Sequence, residues 1–386
     1  MTKPKNQVVA KTFSAAAQIG EAAWNACAGN QNPFVQYAFF NALEGSGSAS
    51  ALAGWHPQHI GLVDAQGSIS AIMPAYIKSH SQGEYVFDHA WADAYARAGG
   101  NYYPKLQISI PFTPASAPKL LLRPGIPHEL ANALPDAAAS ATVQLGCSSA
   151  HATFLSKQEL EIFTSKGWLE RNDQQFHWTN HDYRDFYSFL ETLTSRKRKA
   201  IRKERREALA NGITVVWKTG SEITEADWDT FFEFYQDTGA RKWGSPYLNR
   251  TFFSMIGESM ADHILLMFAM DGERTIAGAL NFIGEDTLFG RYWGCNTHVP
   301  YLHFELCYYQ AIDFAIKQGL GRVEAGAQGG HKLARGYEPI TTYSAHYIAH
   351  PAFREAIEDY LINEREHVAL DQAEMTKYTP FKKLSS

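Results

Sequence analysis

The residues best suited to shared chemistry lie in one run, Glu324-Ala-Gly-Ala-Gln-Gly-Gly-His-Lys-Leu-Ala-Arg-Gly-Tyr337. Gly326, Gly329 and Gly330 allow the backbone to turn sharply and to approach a bound group closely. Around them stand a carboxylate (Glu324), an amide (Gln328), an imidazole (His331) and two cations (Lys332 and Arg335). Such a set supplies a general base, hydrogen-bond donors for a developing oxyanion, and clamps for a phosphate or carboxylate. His331 and Arg335 are four apart and share a face if a helix follows the loop. The competing expectation is a glycine-rich connection with ordinary surface charges.

Two further groups flank this run. Tyr292-Trp293-Gly294 closes a strand, and its rings are candidates for a cleft wall. Downstream, Glu305 and Tyr309 stand at i, i+4 on a helix, where they offer a carboxylate base and a phenol donor, unless they are one polar edge of a core helix. His303 and Cys307 share the same spacing, but two side chains do not make a metal centre, and no metal is expected. The segment Arg196–Arg206 holds eight positive and one negative side chain, a charge of +7 in a chain of net −5. Arg198, Arg202 and Arg205 recur at i, i+4, i+7 and form a cationic ridge. That ridge suits an anionic partner, such as a phosphate-bearing or nucleotide-linked donor or RNA, and otherwise is a solvated helix face. No G-x-S-x-G elbow supports nucleophilic serine chemistry.

The elements that position these groups are legible from periodicity. A strand ends at Glu324. Before it, Leu302, Leu306, Tyr309, Ile312 and Ile316 mark a helix over Tyr301–Lys317, closed by Gly319. The basic segment continues a helix from about Tyr183. Two hairpins share a pattern, His59–Tyr76 turning at Gln66-Gly67 and His263–Ile283 turning at Asp271-Gly272. Each is followed by a third strand, Glu84–Asp88 and Thr287–Trp293, and preceded by helices, Phe34–Leu43 in one half and Trp228–Thr238 with Arg250–Met260 in the other. The first half continues with a strand over Pro104–Pro114, a helix over His128–Gly146 and a strand over Ser148–Leu155. The pattern is thus written twice. It predicts an α/β (α+β) protein with mixed, largely antiparallel sheets in two domains, 1–180 and 181–386, and a surface extension after Arg365.

Composition excludes several classes. Of 386 residues, 45% are hydrophobic and 19% charged, too apolar for a disordered chain. No stretch reaches the roughly 18 apolar residues of a membrane span, and Met1–Gly20 lacks a signal-peptide core. Cys27, Cys147, Cys295 and Cys307 are widely spaced and make no disulfide framework. A cytoplasmic location is expected.

The Glu324–Tyr337 run, with Tyr292-Trp293-Gly294 and His303-Phe-Glu-Leu-Cys-Tyr-Tyr309, resembles the FemAB-like peptidoglycan biosynthesis/recognition family of the GNAT acyltransferase superfamily. Tyr103-Pro-Lys-Leu-Gln-Ile-Ser-Ile-Pro-Phe-Thr-Pro114 and Trp243-Gly-Ser-Pro-Tyr247 extend the likeness over about Asn32 to Pro351. The resemblance implies tandem GNAT-like domains and an N-acyltransferase that moves an acyl or aminoacyl group to an amine, such as a peptidoglycan precursor or peptide. It implies no permanent cofactor but a cosubstrate, acyl-CoA or aminoacyl-tRNA, and so tRNA as a partner. A weaker likeness to leucyl/phenylalanyl-tRNA–protein transferases echoes in Glu324, Gln328, His331 and Leu333, and suggests that Gln328 faces a reacting amide. Gly294-Cys-Asn-Thr-His-Val-Pro300 departs from the glycine-rich pyrophosphate loop of acetyl-CoA enzymes. That departure keeps the donor open, and it leaves a non-catalytic recognition module on a GNAT scaffold as the alternative. The expected roles are Glu324 or Glu305 as base, Gln328 and His331 as polarising groups, and Lys332, Arg335, Arg198 and Arg202 as anion clamps, with Tyr292 and Trp293 lining the site.

Overall fold

The computed structural model describes residues 8–243, 246–326 and 329–382, with the backbone alone over 239–243. Gln328 lies outside the described residues, as do Gly244 and Ser245 of the Trp243–Tyr247 motif. The strands are β1 (Val9–Phe13), β2 (Trp55–Pro57), β3 (His59–Val63), β4 (Ile69–Met73), β5 (Tyr76–Lys78), β6 (Lys105–Ile108), β7 (Leu121–Leu122), β8 (Ser149–Leu155) and β9 (Leu169–Thr179). They continue with β10 (Thr214–Thr219), β11 (Ile264–Asp271), β12 (Arg274–Ile283), β13 (Thr287–Cys295), β14 (Arg322–Glu324) and β15 (Glu338–Ile348). The helices that matter here are α1 (His89–Arg97), α2 (Ala133–Gln144), α3 (Ser195–Ala208), α4 (Glu225–Trp243) and α5 (Arg250–Met260). After them, α6 runs through Leu302–Phe304, a π turn at Glu305–Tyr309, and Gln310–Gln318, and α7 spans Pro351–Thr376.

The chain forms two compact units, 1–173 with 341–369 and 174–340 with 370–386. The expected single division near residue 180 is therefore incomplete. The chain leaves the first unit within β9 and returns to it within β15, and most of α7 belongs to the first unit. The expected surface extension after Arg365 is mostly exposed, and it continues α7 as far as Thr376.

In the second unit the strands run β10-β11-β12-β13-β14, with the latter half of β9 beyond. All pairs are antiparallel except β13–β14, which are parallel through Thr287↔Arg322, Leu288↔Val323 and Phe289↔Glu324. Parallel neighbours need a crossover, here α6. Leu306, Tyr309, Ile312 and Ile316 form its buried stripe, packed with Leu265, Met267 and Val323, and Gly319 ends it in the left-handed region at φ 69°. The first unit repeats this device. Its strands β8 and β6 are parallel through Leu106↔Ala150, Gln107↔His151 and Ile108↔Ala152, with α2 as the crossover.

The duplication therefore sits at the parallel pair, and not at the hairpins that suggested it. β11, β12 and β13 form one antiparallel sheet. β3 and β4 instead join β1 and β7 in a separate four-stranded sheet. Residues Glu84–Asp88 form no strand; β5 comes earlier and pairs with β2 and β6. The helix expected from Tyr183 through Arg206 is broken into Phe186–Thr192 and α3, with Leu193 extended between them.

Candidate active site

β13 and β14 stay together only as far as Phe289 and Glu324. β13 runs on for six residues, still paired with β12, while the other chain turns away at Ala325. At Gly290 a side chain would lie 3.5 Å from the Glu324 carbonyl, so the strands still touch there and part just beyond. The loop that leaves β14 returns as a 3-10 turn, Gly330–Arg335, which carries the predicted His331, Lys332 and Arg335.

Glu324 is buried at the end of β14. Its Oε1 lies 3.8 Å from His177 Nδ1 on β9 and 4.0 Å from Arg322 Nε. Burial, with Arg322 and Lys332 nearby, pushes His177 down to about 3, so the imidazole is neutral and does not balance the carboxylate.

Lys332 is 1% exposed and donates from Nζ to the Gly326 carbonyl at 2.8 Å. It forms no ion pair with any described carboxylate. Burial lowers it to about 8, although the nearby Cys307 pulls the other way. A buried ammonium held by one carbonyl among the described residues is unusual, and it suits a site where negative charge arrives from outside.

His331 shares a hydrogen bond of 2.8 Å with the Tyr308 hydroxyl, and its ring lies among those of His303, Phe304 and Tyr308. Arg335 donates to the His331 carbonyl at 2.7 Å and lies 3.5 Å over the Phe304 ring. Its second nitrogen donates to both oxygens of Glu204 at 3.0 Å. Glu204 also accepts from the Tyr309 hydroxyl. Arg335 is therefore committed to a carboxylate of the basic helix α3. Arg335 is thus not the free anion clamp expected from the sequence.

Three expectations need correction. Glu305 is fully buried, and its oxygens accept from Arg205 at 2.9–3.2 Å and from Gln310 at 2.7 Å, so it is a counter-ion and not a base. The π turn causes this, because it aligns residues five apart, Glu305 with Gln310. Arg205, expected on the ligand-binding ridge, is spent on Glu305 and on Asp313 at 2.8 Å. Arg198 is half-buried and Arg202 exposed, the latter 5.0 Å from the Tyr187 ring. Tyr292 and Trp293 do not share a wall, because successive strand residues point to opposite faces. Tyr292 meets Tyr235 of α4 at 5.1 Å, and Trp293 meets His303 of α6 at 5.2 Å.

Sequence reasoning missed Glu204, His177 and Tyr308. Glu204 was hidden as the lone acid in a cationic run. His177 joins the site only through β9–β14 pairing.

A family model described as peptidoglycan biosynthesis/recognition, FemAB-like, matches residues 15–383. The chain belongs to that family. Among solved structures it is similar to FemX, with 12% identity, TM-score 0.54, and coverage of 91% of this chain and 100% of that one. It is also similar to the C-terminal domain of a putative lysylphosphatidylglycerol synthetase from Agrobacterium fabrum, at 11% identity and TM-score 0.52, covering 90% and 97%. L-PGS from Bacillus licheniformis follows at 10% identity and TM-score 0.50, covering 86% and 98%. No curated protein matches the chain. These likenesses show the fold, a mixed α/β architecture shared with those proteins over most of the chain. Among the described residues no helix is long and apolar enough to cross a membrane.

Proposed function

We propose that the chain transfers an acyl or aminoacyl group to an amine, and that the reacting carbonyl lies where β13 and β14 part in the second unit. The observation that carries this is Lys332, a buried cation that pairs with no carboxylate among the described residues, in the loop that leaves this junction. Amine attack creates a tetrahedral oxyanion, and a desolvated ammonium stabilises such charge more than water does. Glu324 is the base candidate, since the attacking ammonium must lose a proton and this buried carboxylate stands at the end of β14 beside a neutral His177. His331, linked to Tyr308, is a proton donor for the leaving group. Arg335 and Glu204 hold the loop in place.

The first unit does not offer the same opening. Beyond its parallel pair, the Phe154 carbonyl of β8 accepts from Ala117 N at 3.4 Å and Lys119 Nζ at 3.2 Å, so its own chain lies there. The donor is an acyl-CoA or an aminoacyl-tRNA. Exposed Arg196, Lys199, Arg202, Lys203 and Arg206 on α3 favour a polyanionic one. The family description favours a peptidoglycan precursor as acceptor and a cytoplasmic setting, where such precursors are nucleotide-linked. The test incubates the chain with UDP-linked muropeptide and either labelled acyl-CoA or labelled aminoacyl-tRNA. Label in an amide that survives mild base supports the proposal. No transfer from either donor, with saturable precursor binding, favours the recognition-module alternative.

A further inference from the structure

The first unit contains a buried polar layer that the proposed reaction does not use. One face of its sheet carries Lys78 on β5, Lys105 and Gln107 on β6, Ser149, His151 and Thr153 on β8, and Ser344 and His346 on β15, all buried. The opposite face carries Leu106, Ile108, Ala150, Ala152 and Ala345 and is an ordinary apolar core. The segment 79–103, including α1, brings Ser81, Glu84, Asp88 and Tyr102 onto the polar face.

Lys105 is the hub. Its Nζ donates to Asp88 Oδ2 at 2.5 Å, Glu84 Oε2 at 2.6 Å and Ser81 Oγ at 2.8 Å, which exhausts its three protons. Asp88 Oδ2 also accepts from Tyr102. Two acceptors on the acids at this hub remain without a hydrogen bond, Glu84 Oε1 and Asp88 Oδ1, and both belong to side chains more than nine-tenths buried. Lys78 does not meet this need. Its Nζ is 3.8 Å from Glu84 Oε1, donates to the Gln82 carbonyl at 3.2 Å, and lies 3.7 Å over the Trp55 ring. A buried acceptor left without a donor costs about 1–3 kcal/mol, so two such oxygens on carboxylates that share Lys105 Nζ ask for a ligand that donates to both.

We propose that this layer binds a primary ammonium group, whose N–H donors serve the open oxygens of Glu84 and Asp88 and whose charge adds a counter-ion to that pair. The inference stands independently of the acyl-transfer proposal.

The site has a definite pH dependence. The groups facing Glu84 are Lys105 of β6, Lys78 of β5, Asp88 and Tyr102 of the covering segment, and His151 of β8 beside Asp88. Burial raises Glu84 to about 7, with Lys105 opposing and Asp88 adding to the rise. Burial lowers Lys78 to about 7, against the pull of Glu84. Raising the pH from 6 to 8 takes protons from both, makes the layer more negative, and strengthens ammonium binding. His151, pushed down to about 3 chiefly by burial, stays neutral throughout.

The experiment is calorimetric titration of the full chain with 1,4-diaminobutane, which stays protonated over this range, and with neutral 1,4-butanediol. Saturable diamine binding without diol binding, about tenfold tighter at pH 8 than at pH 6, is expected. Glu84→Gln, which keeps the shape and removes the charge, weakens it at least tenfold. Equal binding of the diol, no diamine binding, or unchanged affinity in Glu84→Gln overturns the proposal. Should that variant not fold, the pH series on the unmodified chain decides, and a flat series overturns it.

Discussion

Replacing Arg205 by Ala tests the assignment of the basic helix to two different tasks. Arg205 is 21% exposed at its side chain, and Glu305, its partner, is fully buried. Without the guanidinium, Glu305 keeps only Gln310, and Asp313 loses its contact as well. Breaking a buried pair from one side costs about 3–5 kcal/mol, because the remaining charge stays in a poor dielectric. The partial exposure of Arg205 puts the expectation at the lower end, about 3 kcal/mol. Arg202→Ala, three residues earlier and exposed, is expected within about 0.5 kcal/mol of the parent. The pair Arg205→Met with Glu305→Gln removes both charges and is expected to recover much of the loss. Urea unfolding followed by tryptophan fluorescence measures all three, since Trp217 donates to Gln310 beside the pair. If Arg205→Ala and Arg202→Ala are equally mild, the division of the helix into a structural and a free face is wrong.

Other outcomes follow from the same geometry. His151 and His177, both near 3 when folded, favour the neutral ring. The stability they contribute is present above about 6.5 and is lost as pH falls towards 3. Each is expected to cost about 2 kcal/mol between pH 7.5 and pH 5, and chemical denaturation at the two pH values checks the slope. Gly294→Ala places a methyl 2.2 Å from the Phe234 carbonyl oxygen, backbone that cannot swing aside, and is expected to destabilise by about 2–3 kcal/mol in a thermal melt. Changing Arg196, Lys199, Arg202 and Arg206 together to Ser is expected to lower the salt needed to elute the chain from heparin while leaving the melting temperature within about 2 °C.

The second unit was largely legible because its signals are local. The stripe on α6 and its Gly319 cap follow from periodicity, and the glycines after Glu324 mark the loop. The roles of Glu305 and Arg205 were not legible. A sequence gives helix faces at 3.6 residues per turn, and the π turn shifts Glu305 off that count and toward a cation 100 positions earlier. Tyr292 and Trp293 were grouped by adjacency, although the pleat separates adjacent residues. The hairpin likeness was real as local pattern but failed as topology, because β5 leaves β4 for a different sheet. The polar layer of the first unit left no local trace. His151 and His346 share a hydrogen bond of 2.7 Å across 195 residues, and only the pairing of β8 with β15 brings them together.

The central claim is that Lys332 stabilises the negative charge of an acyl-transfer transition state. The direct measurement is single-turnover transfer from whichever donor is active, comparing Lys332→Met with the parent at equal donor saturation. Met keeps the length and loses the charge, so loss of an oxyanion partner predicts a rate lower by about 10²–10³-fold with donor and acceptor affinities nearly unchanged. A variant that folds, binds both substrates and transfers at the parental rate would contradict the account.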